Sequence, residues 1–197
     1  MITKTDILEC SILNFTKFGS KHFTLDQLSK ILGISKKTIY KHFENKENLV
    51  AESLGFLIDK FMVDINEIVE QNTHDGVVTI ILIYKKGFEY LKYFKPSFLF
   101  GIKKYYPKAN LIFKAFRQEL VFTMVYAQLE RAKADGHIRT EIDIKLICEL
   151  YYLKMDAIAF TSDSLFDSYT LDAILEHSVV CTLKGITTLH YSNPYFE

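Results

Sequence analysis

The sequence predicts an all-α protein of about nine helices, and three observations carry that prediction. Only 8 glycines and 3 prolines punctuate 197 residues, too few for a sandwich of many short strands, which consumes turn residues at every connection. Apolar residues recur at three- and four-residue intervals along most of the chain, the period of a helix with one buried face. At 49% hydrophobic content, with 16 Phe and 12 Tyr, the chain has apolar surface for one large domain, or for one small and one medium domain.

The elements follow in order. Residues 4 to 18 place Ile7, Leu8, Cys10, Ile12, Leu13 and Phe15 on one broad helical face, and Gly19 stops the helix. Thr24 is a good N-cap, and Gln27 three residues later completes a capping-box pattern. Leu25, Leu28, Ile31 and Leu32 form the stripe of that second helix, which Gly33 ends. Ser35 caps a third helix from Lys36 to Phe43. A fourth starts near Lys46 and runs to about Val69, with Leu49, Leu54, Leu57, Ile58 and Phe61 as its core positions. The polar stretch 71–76, QNTHDG, is a turn or linker. Val77 to Phe94 reads as a helix, and Ser97 to Lys104 as a short one. Pro107 sits in the first turn of a long helix that ends near Gly136. HIRTEI is a loop, and Asp143 caps a helix to about Thr161. SDSLFDS is a further loop, and a last helix runs from about Tyr169 to Tyr191.

The net charge is zero, but it is unevenly spread. Up to Lys46 there are eight lysines against four carboxylates, a balance of +4; beyond it sixteen Lys and Arg face twenty carboxylates, a balance of −4. A basic head on an acidic body points to a polyanion as the partner of the head. The three cysteines, Cys10, Cys148 and Cys181, are distant from one another and odd in number, so buried thiols in a reducing compartment are expected rather than a disulfide framework. The N-terminus lacks an apolar signal core, and the longest apolar run, Val77 to Tyr84, is too short to span a bilayer. The expectation is a soluble, cytoplasmic protein with no membrane association.

The informative stretch is Thr24 to Leu49. A helix-turn-helix needs two short helices joined by a turn of three or four residues that often carries glycine. The segment LDQLSKIL-GIS-KKTIYKHF has that form. Gly33 supplies a left-handed residue without steric cost, and Ile34, apolar in a polar turn, is expected to plug the space between the helices. On the second helix Ile39 and Phe43 stack four apart toward the core, leaving Lys37 and Lys41 opposite, flanked by Thr38 and Tyr40. That face suits the major groove of DNA, where lysines reach guanine acceptors or phosphates and hydroxyls bind phosphate oxygens. Thr24, Lys36, His42 and Lys46 stand where they can reach the backbone, and the start of the fourth helix offers N–H groups to a phosphate. The expected DNA-binding set is therefore Thr24, Lys36, Lys37, Thr38, Tyr40, Lys41, His42 and Lys46.

The run from Leu32 to Leu49, LGISKKTIYKHFENKENL, resembles the signature of the TetR family of bacterial transcriptional regulators. Gly33, Ser35, Thr38, Tyr40, His42, Phe43, Lys46, Glu47 and Leu49 match that pattern, and Ile7, Phe15, Gly19 and Thr24 match its first helix and the entry to the second. Ser29 stands where the family usually has Ala, and Lys37 where a small residue is frequent. The resemblance implies a helix-turn-helix domain over residues 1–48, a linking helix over 46–69, and an effector-binding and dimerisation bundle over 49–197. It implies a homodimer on a palindromic operator, acting as a repressor released by a small molecule. The stretch AKADGHI, from Ala132 to Ile138, looks like the family's end of its long seventh helix.

The body is richer than dimerisation requires. Its aromatics leave room for an apolar effector pocket oriented by a few polar groups, with Tyr84, Phe88, Phe98, Phe113, Phe116 and Tyr126 as candidate lining. Lys85, Lys92 and Arg117 read as surface residues. The last two long helices are expected to pair with those of a second chain through Ile147, Leu150, Tyr151, Ile158, Leu175, Val179, Leu183 and Ile186. The sequence has no GxSxG, HExxH, GxGxxG or P-loop. None of its six histidines is paired at metal-ligand spacing. No catalytic residue, cofactor or metal is expected. The alternative reading is a constitutive DNA-binding adaptor with no effector; a helical enzyme is remote.

Overall fold

The computed structural model of the protein describes residues 2–91, 96–160 and 165–196. Among them are ten helices and no strand. They are α1 (Lys4–Phe18), α2 (Leu25–Leu32), α3 (Lys36–His42), α4 (Lys46–Gln71), α5 (Gly76–Leu91) and α6 (Pro96–Tyr105), then α7 (107–134), α8 (Ile144–Phe160), α9 (Leu165–Ser168) and α10 (171–186). Two helices contain a π turn, Leu120–Val125 within α7 and Glu176–Val180 within α10.

The caps explain where the helices start. Thr3 caps α1 by accepting from the Asp6 N–H, and Thr24 caps α2 by accepting from the Gln27 N–H, in each case reciprocated by the side chain of the third residue. The Asp75 carboxylate accepts the N–H groups of Val77 and Val78, both at 3.0 Å, and opens α5. Asp143 does the same for α8 through the Leu146 N–H at 3.0 Å.

The chain forms two compact units. The first comprises residues up to Lys60 together with α6 and the opening of α7 to Phe116. Its core includes Ile7, Phe15, Leu28, Ile39, Leu49, Leu54, Phe98 and Ile102, all within a few per cent of complete burial. The second begins at Phe61 with the end of α4, takes in α5, and resumes at Arg117 to the C-terminus. There α5 packs on the end of α7 so tightly that a Cβ on Gly76 would lie 2.5 Å from the Gln128 carbonyl oxygen. Ile80, Ile81, Val125, Leu129, Tyr151, Val179 and Leu183 fill its core. Helix α4 is a single helix whose residues up to Lys60 belong to the first unit and those from Phe61 to the second.

Several local expectations change. SDSLFDS contains the helix Leu165–Ser168 where a loop was expected; residues 162–164 lie outside the described residues, as does Phe94. The last helix starts after its N-cap Thr170 and ends at Ile186 rather than Tyr191. Thr187 forms an antiparallel bridge with Ile138, and Thr188 donates to the His137 carbonyl at 2.9 Å, so the HIRTEI loop is tied to the end of α10. Leu13 and Ile31 lie outside the core, at 69% and 57% exposure, although both fall on the apolar stripes of α1 and α2. Ile31 borders an open hollow of about 530 Å³ lined also by Asn14, Phe18, Phe23 and Lys30. Leu57 and Ile58 are half-buried.

Candidate nucleic-acid interface

The turn between α2 and α3 is built as its residues require. Gly33 takes φ 65° and ψ 29°, the left-handed region, and the Ile34 N–H reaches back to the Ser29 carbonyl at 3.0 Å. Ile34 is half-buried, so it covers the junction of the helices without sealing it. Ser35 Oγ accepts the Thr38 N–H at 3.1 Å and lies 3.0 Å from the Thr38 hydroxyl. The Ser35 cap therefore satisfies the Thr38 donor in the first turn of α3.

Helix α3 is divided sharply by burial. Ile39 and the following cap residue Phe43 are 1% and 2% exposed. Lys37, Tyr40, Lys41 and His42 are exposed, and Thr38 is half-buried. Tyr40 has half its surface in solvent. Such an outer face offers two ammonium groups, an imidazole and a phenol, all donors for phosphate or base-edge acceptors.

The flanking candidates are more constrained. Lys36 pairs with Asp26 at 2.8 Å, and that bond and charge raise its ammonium above the ordinary range. The Thr24 hydroxyl serves the capping box, accepting from Gln27 N and lying 3.0 Å from Gln27 Oε1. Lys46 is half-buried; its ammonium donates to the Lys21 carbonyl at 3.4 Å, and burial pulls its pKa below the usual lysine range. At the start of α4, Asn45 Oδ1 takes the Asn48 N–H at 2.9 Å, so part of the expected N–H cluster is occupied.

Residues 14–53, from within α1 to the second turn of α4, match the family model described as bacterial regulatory proteins, tetR family. The helix-turn-helix segment of this chain is of the tetR family of bacterial regulatory proteins. The relatives agree. The chain is 26% identical over 172 residues to the uncharacterized HTH-type transcriptional regulator YvaF of Bacillus subtilis, covering 84% of this chain and 86% of that one. It is 27% identical over 88 residues to IcaR, the biofilm operon icaADBC HTH-type negative transcriptional regulator of Staphylococcus aureus, a match confined to 45% of either chain. The fold is that of a solved TetR-family transcriptional regulator from Agrobacterium tumefaciens, with a TM-score of 0.71 at 20% identity over 93% of this chain and 97% of that one.

The remaining candidate residues are distributed over both units. In the second unit Tyr84 and Phe88 are buried, Tyr84 lies 5.2 Å from the Tyr151 ring, and Phe88 lies 6.0 Å from that of Phe166. The Tyr84 hydroxyl is buried with no hydrogen-bond partner among the described residues, and burial pushes its pKa well above the ordinary phenol range. Tyr126 of the same unit is exposed. Phe98 and Phe113 are buried in the first unit, and Phe116 lies beside Phe113 there with ring centroids 6.2 Å apart.

Of the dimer candidates, Tyr151, Leu175, Val179, Leu183 and Ile186 are buried within the chain, Ile147 and Ile158 are half-buried, and Leu150 is 51% exposed. Two residues that the sequence reading passed over share its surface. Leu146, Leu150 and Leu153 recur at helical spacing on α8, at 51%, 51% and 64% exposure. Arg117, expected at the surface, is largely buried. Its side chain is only 16% exposed; it pairs with Asp156, donates to the Tyr152 hydroxyl at 3.0 Å and stacks on the rings of Tyr152 and Phe160. The aromatic partners come from α8, thirty-five residues and more along the chain, which is why no local pattern announces the cluster.

Proposed function

We propose that this regulator is a cytoplasmic, homodimeric repressor that binds a palindromic operator and is released by a mostly apolar small molecule. The observation that carries the DNA reading is the division of α3. Ile39 and Phe43 anchor it, while Lys37, Tyr40, Lys41 and His42 stand in solvent. In this reading Lys37 is the base reader, and Thr24, Lys36, Thr38, Lys41, His42 and Lys46 fix the head on the phosphates. Lys36 exchanges Asp26 for phosphate as it docks.

Specific reading of a palindrome needs two heads about 34–36 Å apart, related by a two-fold axis. The Leu146, Leu150 and Leu153 stripe supports pairing through α8, since three large apolar side chains in one exposed row gain from burial against their own copies. Repression rather than activation is the reading favoured by the naming of IcaR as a negative regulator. The buried Tyr84 hydroxyl, which has no hydrogen-bond partner among the described residues and lies among aromatic rings, supports an effector with one polar group on an apolar body, taken up in the second unit beside Phe88. Such an effector must favour the DNA-incompetent state, and DNA must then weaken effector binding by the same factor.

The test is selection of bound fragments from a genomic library, followed by footprinting and light scattering. The expected result is a two-fold symmetric footprint held by a dimer. A monomer that protects an asymmetric site would refute it. A screen of apolar carboxylates, phenols and steroids for release of the selected fragment tests the effector. Release lost in Tyr84→Phe supports the site, and the absence of any releasing compound favours a constitutive adaptor.

A further inference from the structure

The first unit carries a second cluster of cations, outside the recognition helix. The turn 19–23 between α1 and α2 is clamped by α6. Tyr106, just past α6, donates to the Ser20 carbonyl at 3.0 Å. A Cβ on Gly101 would lie 3.1 Å from Ser20 Oγ, and one on Gly19 would lie 3.2 Å from Ser97 Oγ. Two glycines thus let α6 and the turn approach closely. The clamp brings Lys21 onto the end of α6, where its ammonium sits 4.2 Å above the Tyr105 ring and 3.1 Å from the Tyr105 hydroxyl. Lys104 approaches the same ring at 5.4 Å, and Lys46 bonds the Lys21 carbonyl. The two lysines pull the exposed Tyr105 phenol below its ordinary pKa, led by the Lys21 bond.

Two features make this cluster more than a solvated surface. It gathers three ammonium groups from three separate elements, the α1–α2 turn, the start of α4 and the end of α6. Two of them share the Tyr105 phenol as an acceptor, a weak substitute for an anion. It also continues the DNA face along the chain at both edges. Lys21 stands three residues before the α2 cap Thr24, and Lys46 four residues after His42 of α3.

We infer that Lys21 and Lys104, which meet at Tyr105, together with Lys46, bonded to the Lys21 carbonyl, form a phosphate-binding shelf that holds the DNA backbone beside the segment read by α3. The shelf rests on the reading of α3 as the DNA-facing helix, and it adds α6 to the contact surface. Its ammonium groups are point charges with no base to read, so they strengthen binding to every sequence alike. On docking, phosphate oxygens replace the Tyr105 hydroxyl as the partner of Lys21.

Because the contact is independent of sequence, a random-sequence duplex is a sufficient probe. Binding to it is measured by anisotropy across a salt series for the wild type and for K104A, K104R, K21A, K37A and K145A. Lys145 is an exposed α8 lysine and controls for net charge alone. Circular dichroism checks that each variant is folded. K104A and K21A are expected each to lower the slope of log affinity against log salt by about 0.9 per head, with K104R near wild type and K145A unchanged. If K37A lowers affinity while K104A and K21A leave the slope intact, the shelf is refuted and the α3 reading stands. If K37A also has no effect, both fall. If K145A matches K104A, net charge is the cause and the shelf is refuted.

Discussion

Lys36 at the start of α3 and Asp26 at the start of α2 form an ion pair at 2.8 Å, with both side chains open to solvent. The pair ties the two helices of the DNA-reading motif together, and it also occupies a lysine that faces the expected phosphate track. Pairs this exposed contribute little to stability because water and salt screen them. Asp26→Asn is therefore expected to leave the melting temperature nearly unchanged while raising affinity for random duplex, since it frees Lys36 and removes one negative charge from the interface. An unchanged affinity at low salt would show that Lys36 does not touch DNA.

Gly33 offers a conformational test with little packing in it. Its φ of 65° is costly for a residue with a Cβ, yet a Cβ there meets nothing within 4 Å. Gly33→Ala should destabilise the motif by about 1–2 kcal/mol through backbone strain alone. Chemical denaturation followed by circular dichroism measures this, and a variant as stable as the wild type would contradict the left-handed turn.

Lys37 and Lys46 are expected to fail differently. Lys37→Ala should relax preference at one or two base pairs, by about 1–3 kcal/mol. Lys46→Ala should weaken binding to all sequences alike. Competition between the selected operator and single-base variants separates them. Equal losses across all variants for both substitutions would remove Lys37 from the role of base reader.

Leu150 projects from α8 with half its surface in water, so Leu150→Glu should leave the folded chain intact while opposing self-association. Light scattering is expected to show a monomer, and operator affinity should fall roughly a hundredfold or more as the two heads cease to act together. A dimer that persists in Leu150→Glu would place the interface elsewhere.

Tyr90 sets an alkaline limit on the second unit. Burial, with the Asp64 carboxylate that its hydroxyl meets at 3.0 Å, raises this phenol to about 12. The unfolded chain gives up the same proton near 10. The contribution of Tyr90 is therefore whole below pH 10 and is lost as pH rises through about 12. Tyr90→Phe should flatten the decline of the denaturation midpoint in that window. An identical decline in the variant would show that Tyr90 makes no contribution to it.

The helix-turn-helix was legible because its determinants are local. Thr24, Gln27, Gly33 and Ser35 cap and turn within a few residues of where they act, and Ile39 with Phe43 declares the buried side of α3. The second unit was less legible because α8 is apolar on several sides. Leu146, Leu150 and Leu153 look outward while Ile144, Cys148 and Tyr151 look inward, and composition alone cannot say which row meets its own chain. Leu13 and Ile31 show the same ambiguity at smaller scale, since a stripe wider than the surface it meets leaves its margin exposed. Arg117 was hidden for another reason: its neutralising and stacking partners arrive from a distant helix.

The π turns in α7 and α10 bear on how this chain should be aligned with its relatives. Buried residues step by four through both, Val121, Val125 and Leu129 in α7, and Leu175, Val179 and Leu183 in α10. On an α-helix of 3.6 residues per turn, steps of four creep around the axis, and a wider π turn takes some of that creep back. Each π turn is thus an inserted residue that the helix has absorbed without turning its later side chains away from the core. A homologue with a one-residue deletion inside Leu120–Val125 or Glu176–Val180 would keep the same faces inward. The same deletion in the middle of α8 would rotate every position after it, so gaps between related sequences should collect at these two turns.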